Sequence, residues 1–142
     1  MLSVACKDSI RAMIYIAKYG DRNSFLSIHK IAEDLDLSFY FLSKNLQKLV
    51  KVGLLESYRG PNGGVRLAKP PDQIKLLDII DAIDGTEFFN KCILGFDTCS
   101  DENPCVIHHK WAEKRNEIYE MFFGTTLSEA VEDIHKFSNI KI

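Results

Sequence analysis

Cys92, Cys99 and Cys105 stand at the spacing C-x6-C-x5-C in a segment of Asn, Gly, Asp, Ser and Pro, and His108 follows three residues after the last of them. Thiolates are soft ligands that select zinc, copper(I) or iron-sulfur clusters. Structural zinc sites draw their cysteines from close pairs such as C-x2-C, and no such pair occurs here. A disulfide would leave one thiol of the loop over, and it belongs to secreted chains. The opening stretch meets Lys7, Asp8 and Arg11 before any apolar run long enough for a secretion signal, which predicts a cytoplasmic protein. Iron-sulfur clusters take several thiolates from a flexible segment and accept a histidine in place of one. The four residues are thus a candidate cluster site, with redox-active thiols as the competing chemistry. Cys6, far from the others, reads as a small buried residue of a helix.

A second chemistry lies nearer the N-terminus, where Lys44, Gln47, Lys48 and Lys51 share one side of a helical stretch whose other side carries Leu42, Leu46, Leu49 and Val50. Amide and ammonium groups so arranged can meet phosphates and base edges. Arg59 begins the run Arg-Gly-Pro-Asn-Gly-Gly, a flexible tip from which a guanidinium could enter a narrow minor groove.

The elements that position these groups follow from periodicity. Ile10, Met13, Ile14 and Ala17 mark one face of a first helix ending at Gly20. Ser27 caps a short second helix with Ile28, Ile31, Ala32 and Leu35, and Ser38 caps the third, closed near Gly53. Two strand-like runs, residues 54–58 and 65–68, flank the glycine-rich tip as a hairpin. A fourth helix carries Leu76, Ile79, Ile80 and Ile83 and stops at Gly85. Residues 90–105 have no usable period and form the cysteine loop. A long helix over residues 106–123 sets Ile107, Trp111, Ile118 and Phe122 on one side, and Thr126 with Glu129 makes a capping box for a last helix. The layout is mainly α with a small β-hairpin wing: a winged helix-turn-helix over 1–85, a cluster loop over 86–105, and a long dimerisation helix with a C-terminal helix over 106–142.

Composition agrees with a globular fold. The chain has 142 residues, 46% of them hydrophobic and 27% charged, which excludes disordered and collagen-like classes. No 18-residue apolar run is present, so no membrane partner is expected. The net charge of -2 conceals two unlike halves. Residues 1–70 hold eleven Lys or Arg against six acids, a net of +5, while residues 71–142 hold seven against fourteen, a net of -7. A basic half predicts a polyanionic partner, double-stranded DNA. No Ser-His-Asp order, phosphate cradle or paired carboxylates argue for an enzyme.

The wing sequence Arg-Gly-Pro-Asn-Gly-Gly-Val-Arg-Leu-Ala at 59–68, the helix end Val52-Gly53-Leu54, the three-cysteine loop and Trp111 together resemble the Rrf2 family of bacterial winged-helix transcription regulators. The resemblance spans nearly the whole chain and implies a homodimer paired through the long helices. It implies Cys92, Cys99 and Cys105 as cluster ligands, with one more residue between the first two than is usual. Cys105-Val-Ile-His108-His-Lys-Trp111 is similar to the C-x2-H-x2-W of IscR-like members, where the histidine completes a 2Fe-2S cluster. Asp8 matches the position from which NsrR-like members give a carboxylate across the dimer to a 4Fe-4S cluster, and His108 is the favoured of the two. For DNA the resemblance implies Ser38, Phe41, Ser43 and Lys44 on the recognition helix and Arg59, Gly60, Gly63 and Gly64 in the wing. Phe41 replaces a usual Tyr, Ser43 stands where IscR-like members carry a Glu, and Val65 replaces a wing aromatic, so the operator is expected to differ from theirs.

Overall fold

Ser3 opens the first helix by accepting the N–H of Cys6 on its hydroxyl at 3.0 Å, while its own N–H and hydroxyl are donated to Asp84. This anchor fixes the N-terminus in a computed structural model that describes residues 1–136. Residues 137–142, the end of the expected C-terminal segment, lie outside the described residues. Helix α1 (Val4–Tyr19) is followed by α2 (Ile28–Leu35) and α3 (Phe39–Lys51), each with the expected serine cap accepting a backbone N–H. Asp36 makes the turn between α2 and α3 in the left-handed region, φ 54°, a conformation that Asp tolerates better than most residues.

Strands β1 (Leu55–Tyr58) and β2 (Gly64–Leu67) pair antiparallel, with Leu55 opposite Leu67 and Tyr58 opposite Gly64. Leu26 adds a bridge to Val65 through two backbone hydrogen bonds of 2.8 Å, tying the wing to the entry of α2. That close approach explains Gly64. Its φ is +153°, and a Cβ there would lie 1.8 Å from the carbonyl oxygen of Leu26.

Helix α4 (Leu76–Ile83) crosses to the cysteine loop through a 3-10 turn at Glu87–Phe89, and α5 (His108–Gly124) leaves the loop. The helix thus starts two residues later than its period predicts, because Val106 and Ile107 remain in the turn that delivers His108. Helix α6 (Leu127–Lys136) begins with the expected capping box: the Thr126 N–H donates to Glu129 at 2.8 Å and the Glu129 N–H to Thr126 Oγ1 at 3.2 Å.

One core joins Met13 and Ile16 of α1, Ile31 of α2, Leu42, Leu46 and Leu49 of α3, Leu55 and Val65 of the wing, Ile79 of α4 and Leu127 of α6. Burying each such side chain contributes about 1.5–3 kcal/mol. Helix α6 therefore folds back onto the first half of the chain, and Ile74 and Leu76 hydrogen-bond to Leu127 and Thr125. A smaller cluster of Cys6, Leu77, Ile80 and Phe89 receives Ile118, Tyr119 and Phe122 of α5. Burial and the neighbouring Asp84 carboxylate push the Cys6 thiol up to about 12, which leaves it a packing residue. On α5 itself only His108 is fully buried, while Trp111, Ile118 and Phe122 are half-covered and Met121 and Phe123 are exposed.

Candidate cysteine centre and DNA interface

The cysteine loop lacks regular structure but is tied down at several points. Trp111 Nε1 donates to the carbonyl of Lys91, next to Cys92, at 3.0 Å, and the Trp111 ring meets Phe88 edge-on at 5.5 Å. The N–H of His108 returns to the carbonyl of Cys105 at 3.0 Å. These anchors bring the four expected ligands together as two pairs. Cys92 Sγ and Cys105 Sγ are 4.0 Å apart, and Cys99 Sγ is 3.2 Å from His108 Nδ1. All three thiols are free, with Cys92 buried and the others partly so.

At Cys92 the surroundings favour negatively charged sulfur. Backbone N–H groups of Phe96, Leu94 and Gly95, with Cys105 beside them, outweigh burial and hold the Cys92 thiol below its ordinary range, as a nest of amides does for any anion. Arg115 Nη1 donates to Cys99 Sγ at 3.1 Å, and its Nε is buried without an acceptor. The buried His108 passes its other nitrogen, Nε2, to Asp101 Oδ1 at 2.8 Å, the outer-sphere carboxylate that orients many ligating histidines. That contact holds the Asp101 carboxyl below the usual range. Soft donors, amide dipoles and an orphaned cationic N–H thus fit an anionic, sulfur-bound group. Asp101, His108 and His109 also bring ligand atoms within 4.8 Å of one another, a harder donor set that shares His108.

Asp8 sits apart from this constellation. It pairs with Arg11 at 3.5 Å and lines a cavity of about 280 Å³ with Leu37, Ser38, Phe41, Leu42 and Asn45, beside the start of α3. Within the described chain it has no contact with the cysteines.

The other face belongs to α3 and the wing. Phe41, Lys44, Gln47, Lys48 and Lys51 are exposed along α3, with Ser38 at its cap. At two of the positions singled out by the resemblance the side chain, or its polar end, is buried. Ser43 Oγ is buried and without a hydrogen-bond partner, because position 43 falls on the inner side of α3, so its hydroxyl does not face outward. Val65 is 1% exposed and packs in the core on the same face as the buried Leu67, while Arg66 between them turns to the other face. In the wing Arg59 and Gly60 are exposed, while Gly63 and Gly64 are half-covered and permit tight backbone contacts: a Cβ on Gly63 would meet the Tyr58 carbonyl at 2.3 Å.

Several exposed groups near this face are not evident from helical or strand periods. The Lys44 ammonium lies 4.5 Å over the Tyr40 ring, a cation–π contact. His29 of α2 stacks on Phe39 of α3 with centroids 3.6 Å apart and planes 4° from parallel. Phe25 stacks on Tyr58 at 5.5 Å, and the Arg66 guanidinium lies 4.4 Å from the centroid of the Phe25 ring. The run Phe39-Tyr40-Phe41 directly after a serine cap is the sequence signal for this aromatic shelf.

Two helices joined by a tight turn, a wing locked to the core and a long helix leaving a cysteine loop define a winged helix-turn-helix protein. The chain belongs to the Rrf2 family, whose sequence model, described as an iron-dependent transcriptional regulator, matches residues 2–133. A protein of Aquifex aeolicus named as an HTH-type transcriptional regulator is 36% identical over 130 residues, 89% of each chain. The HTH-type transcriptional regulator IscR of Aliivibrio salmonicida is 30% identical over 125 residues, 88% of this chain and 73% of its own. Among solved structures, CymR, described as the global cysteine regulator of B. subtilis, superposes with a TM-score of 0.77 at 28% identity, covering 93% of this chain and 96% of its own. IscR from T. potens gives 0.75 at 27% identity, covering 99% and 91%. No described helix is long and apolar enough to cross a membrane.

Proposed function

We propose that this chain is a homodimeric regulator that binds double-stranded DNA through α3 and the wing, performs no catalysis, and carries an iron-sulfur cluster in the loop before α5. The observation that carries the cluster assignment is the two-by-two grouping, Cys92 with Cys105 and Cys99 with His108. A 2Fe-2S cluster takes two protein ligands on each iron, so this grouping supports 2Fe-2S with His108 as fourth ligand over 4Fe-4S with Asp8. The bound group would supply sensitivity to oxidants, nitric oxide or iron-sulfur supply. The chain's own part is to hold the loop against α5 through Trp111 and His108, so that loop and dimer helix move together. Two recognition helices must meet half-sites about 34 Å apart, and a shift of α5 changes that spacing only if the ligand binds the two geometries unequally.

The test is a visible spectrum with iron and acid-labile sulfide analysis on protein purified without oxygen, repeated on Cys92→Ala. Sulfur-to-iron absorbance that is lost in the variant supports the reading, and a colourless, iron-free wild type sinks it.

A second reading has its own support. The Cys92–Cys105 approach of 4.0 Å, with the Cys92 thiol held low, suits a clusterless thiol switch closing an intramolecular disulfide. The resemblance to CymR, one structure of which is described as an oxidised form, points the same way. DNA binding that responds to a peroxide in iron-free protein would favour this alternative.

A further inference from the structure

Arg115 takes no part in the ligand set or the DNA face, yet it stands where a solvated cation has no reason to be. It follows His108 by seven residues, two turns along α5, so both side chains leave the same side of the helix. Both reach one sulfur: His108 Nδ1 lies 3.2 Å and Arg115 Nη1 3.1 Å from Cys99 Sγ. No carboxylate among the described residues forms a close ion pair with Arg115: Asp101, which feels its charge, is held instead by His108 at 2.8 Å. Its Nε is buried without an acceptor, and buried donors left unpaired are rare enough to need an explanation.

We propose that Arg115 is a positioning residue of the cysteine centre: it compensates negative charge at Cys99 and offers Nε to an acceptor that arrives with the bound anionic group. This rests on the cluster reading above. It makes α5, rather than the loop alone, the element that registers the charge of the centre. Hydrogen bonds to sulfur and local net charge set the potential of such centres, so removing this cation makes the centre harder to reduce.

The experiment has two arms. In the first, wild type, Arg115→Met and Arg115→Lys are reconstituted without oxygen and titrated with dithionite in the presence of redox dyes, followed by visible absorbance. The midpoint is expected to move to more negative potential in Arg115→Met, with Arg115→Lys between it and wild type. In the second, cluster-free protein is alkylated with anionic iodoacetate or neutral iodoacetamide, and the ratio of the two rates at Cys99 is read by mass spectrometry against Cys105 of the same molecule. The thiolate fraction cancels in that ratio, leaving the local charge. Arg115→Met should lower it about threefold or more, while Arg115→Lys keeps it. An unchanged ratio overturns the proposal, as does an unchanged midpoint in cluster-loaded Arg115→Met. A wild type that takes up no cluster overturns the cluster reading instead, and the alkylation ratio still decides whether Arg115 compensates Cys99.

Discussion

The imidazole of His108 is held from both sides, with Asp101 Oδ1 2.8 Å from Nε2 and Cys99 Sγ 3.2 Å from Nδ1. A carboxylate at Nε2 favours the tautomer with its proton there, which leaves the Nδ1 lone pair aimed at the cysteine side. Replacing Asp101 by Ala should therefore weaken retention of a metal group by about 10–100-fold, as loss of such outer partners does elsewhere. His108→Ala should cost at least as much, and Asp8→Ala little. Release rates of iron to a chelator, compared across the three variants, check the order; an Asp8→Ala rate as fast as that of His108→Ala would reverse the ligand assignment.

On the DNA side, Lys44, Lys48 and Arg59 are each expected to neutralise one phosphate. Each change to Ala should weaken binding nearly uniformly across duplex sequences and reduce the slope of log affinity against log salt by about 1. Fluorescence anisotropy with a labelled duplex over a range of NaCl concentrations measures both quantities. A change at Ser43 to Thr, by contrast, should act on the packing of α3, because its hydroxyl is buried.

The wing is fixed by the absence of a side chain. Gly64→Ala would set a Cβ 1.8 Å from the Leu26 carbonyl oxygen in a backbone conformation, φ +153°, that L-residues rarely adopt. Loss of DNA affinity through displacement of Arg59 should follow, with little effect on the cysteine loop. Retained affinity in Gly64→Ala would show that the wing does not need its bridge to Leu26.

Stability should fall at both extremes of pH through one contact. Hydrogen bonds from Lys30 and Tyr15 hold the Asp34 carboxyl below its ordinary range, so its contribution is present above about pH 4 and is lost as acid protonates it. Burial and the bond to Asp34 raise the Tyr15 hydroxyl to about 12 from 10.0, so its contribution is present below pH 10 and lost as pH rises toward 12. Urea midpoints for wild type, Asp34→Asn and Tyr15→Phe across pH should show the acid slope reduced in the first variant and the alkaline slope in the second.

Leu127 offers a test of how the chain closes. It is fully buried in the same core as Met13 and Leu49, and Leu127→Ala should cost about 2–5 kcal/mol of stability. Thermal melts of the variant should lose the recognition helix and α6 in one transition, since both lean on that core.

The helices were legible because their signals are local. Ser27, Ser38 and Thr126 each announce a helix start within four residues, and the leucines of α3 recur at the helical period. The cysteine loop was recognisable from residue types alone, although nothing in its spacing gives the pairing of Cys92 with Cys105 or of Cys99 with His108. That pairing depends on how the loop lies against α5. Asp101 and Arg115 were illegible for the same reason: each acts through a neighbour 7 or 16 residues away whose approach is set by tertiary packing. The burial of the Ser43 hydroxyl and of Val65 was likewise not legible, because a resemblance gives positions along a chain, whereas burial is decided by which side of the element meets the core.

Only Thr125 and Thr126 separate α5 from α6, and α6 is pinned to α1 and to the turn before α4. The long helix is accordingly a beam clamped at both ends and not a free tail. A displacement of its first turn is therefore expected to reach α6 and, through the core they share, the elements around α1 and α3.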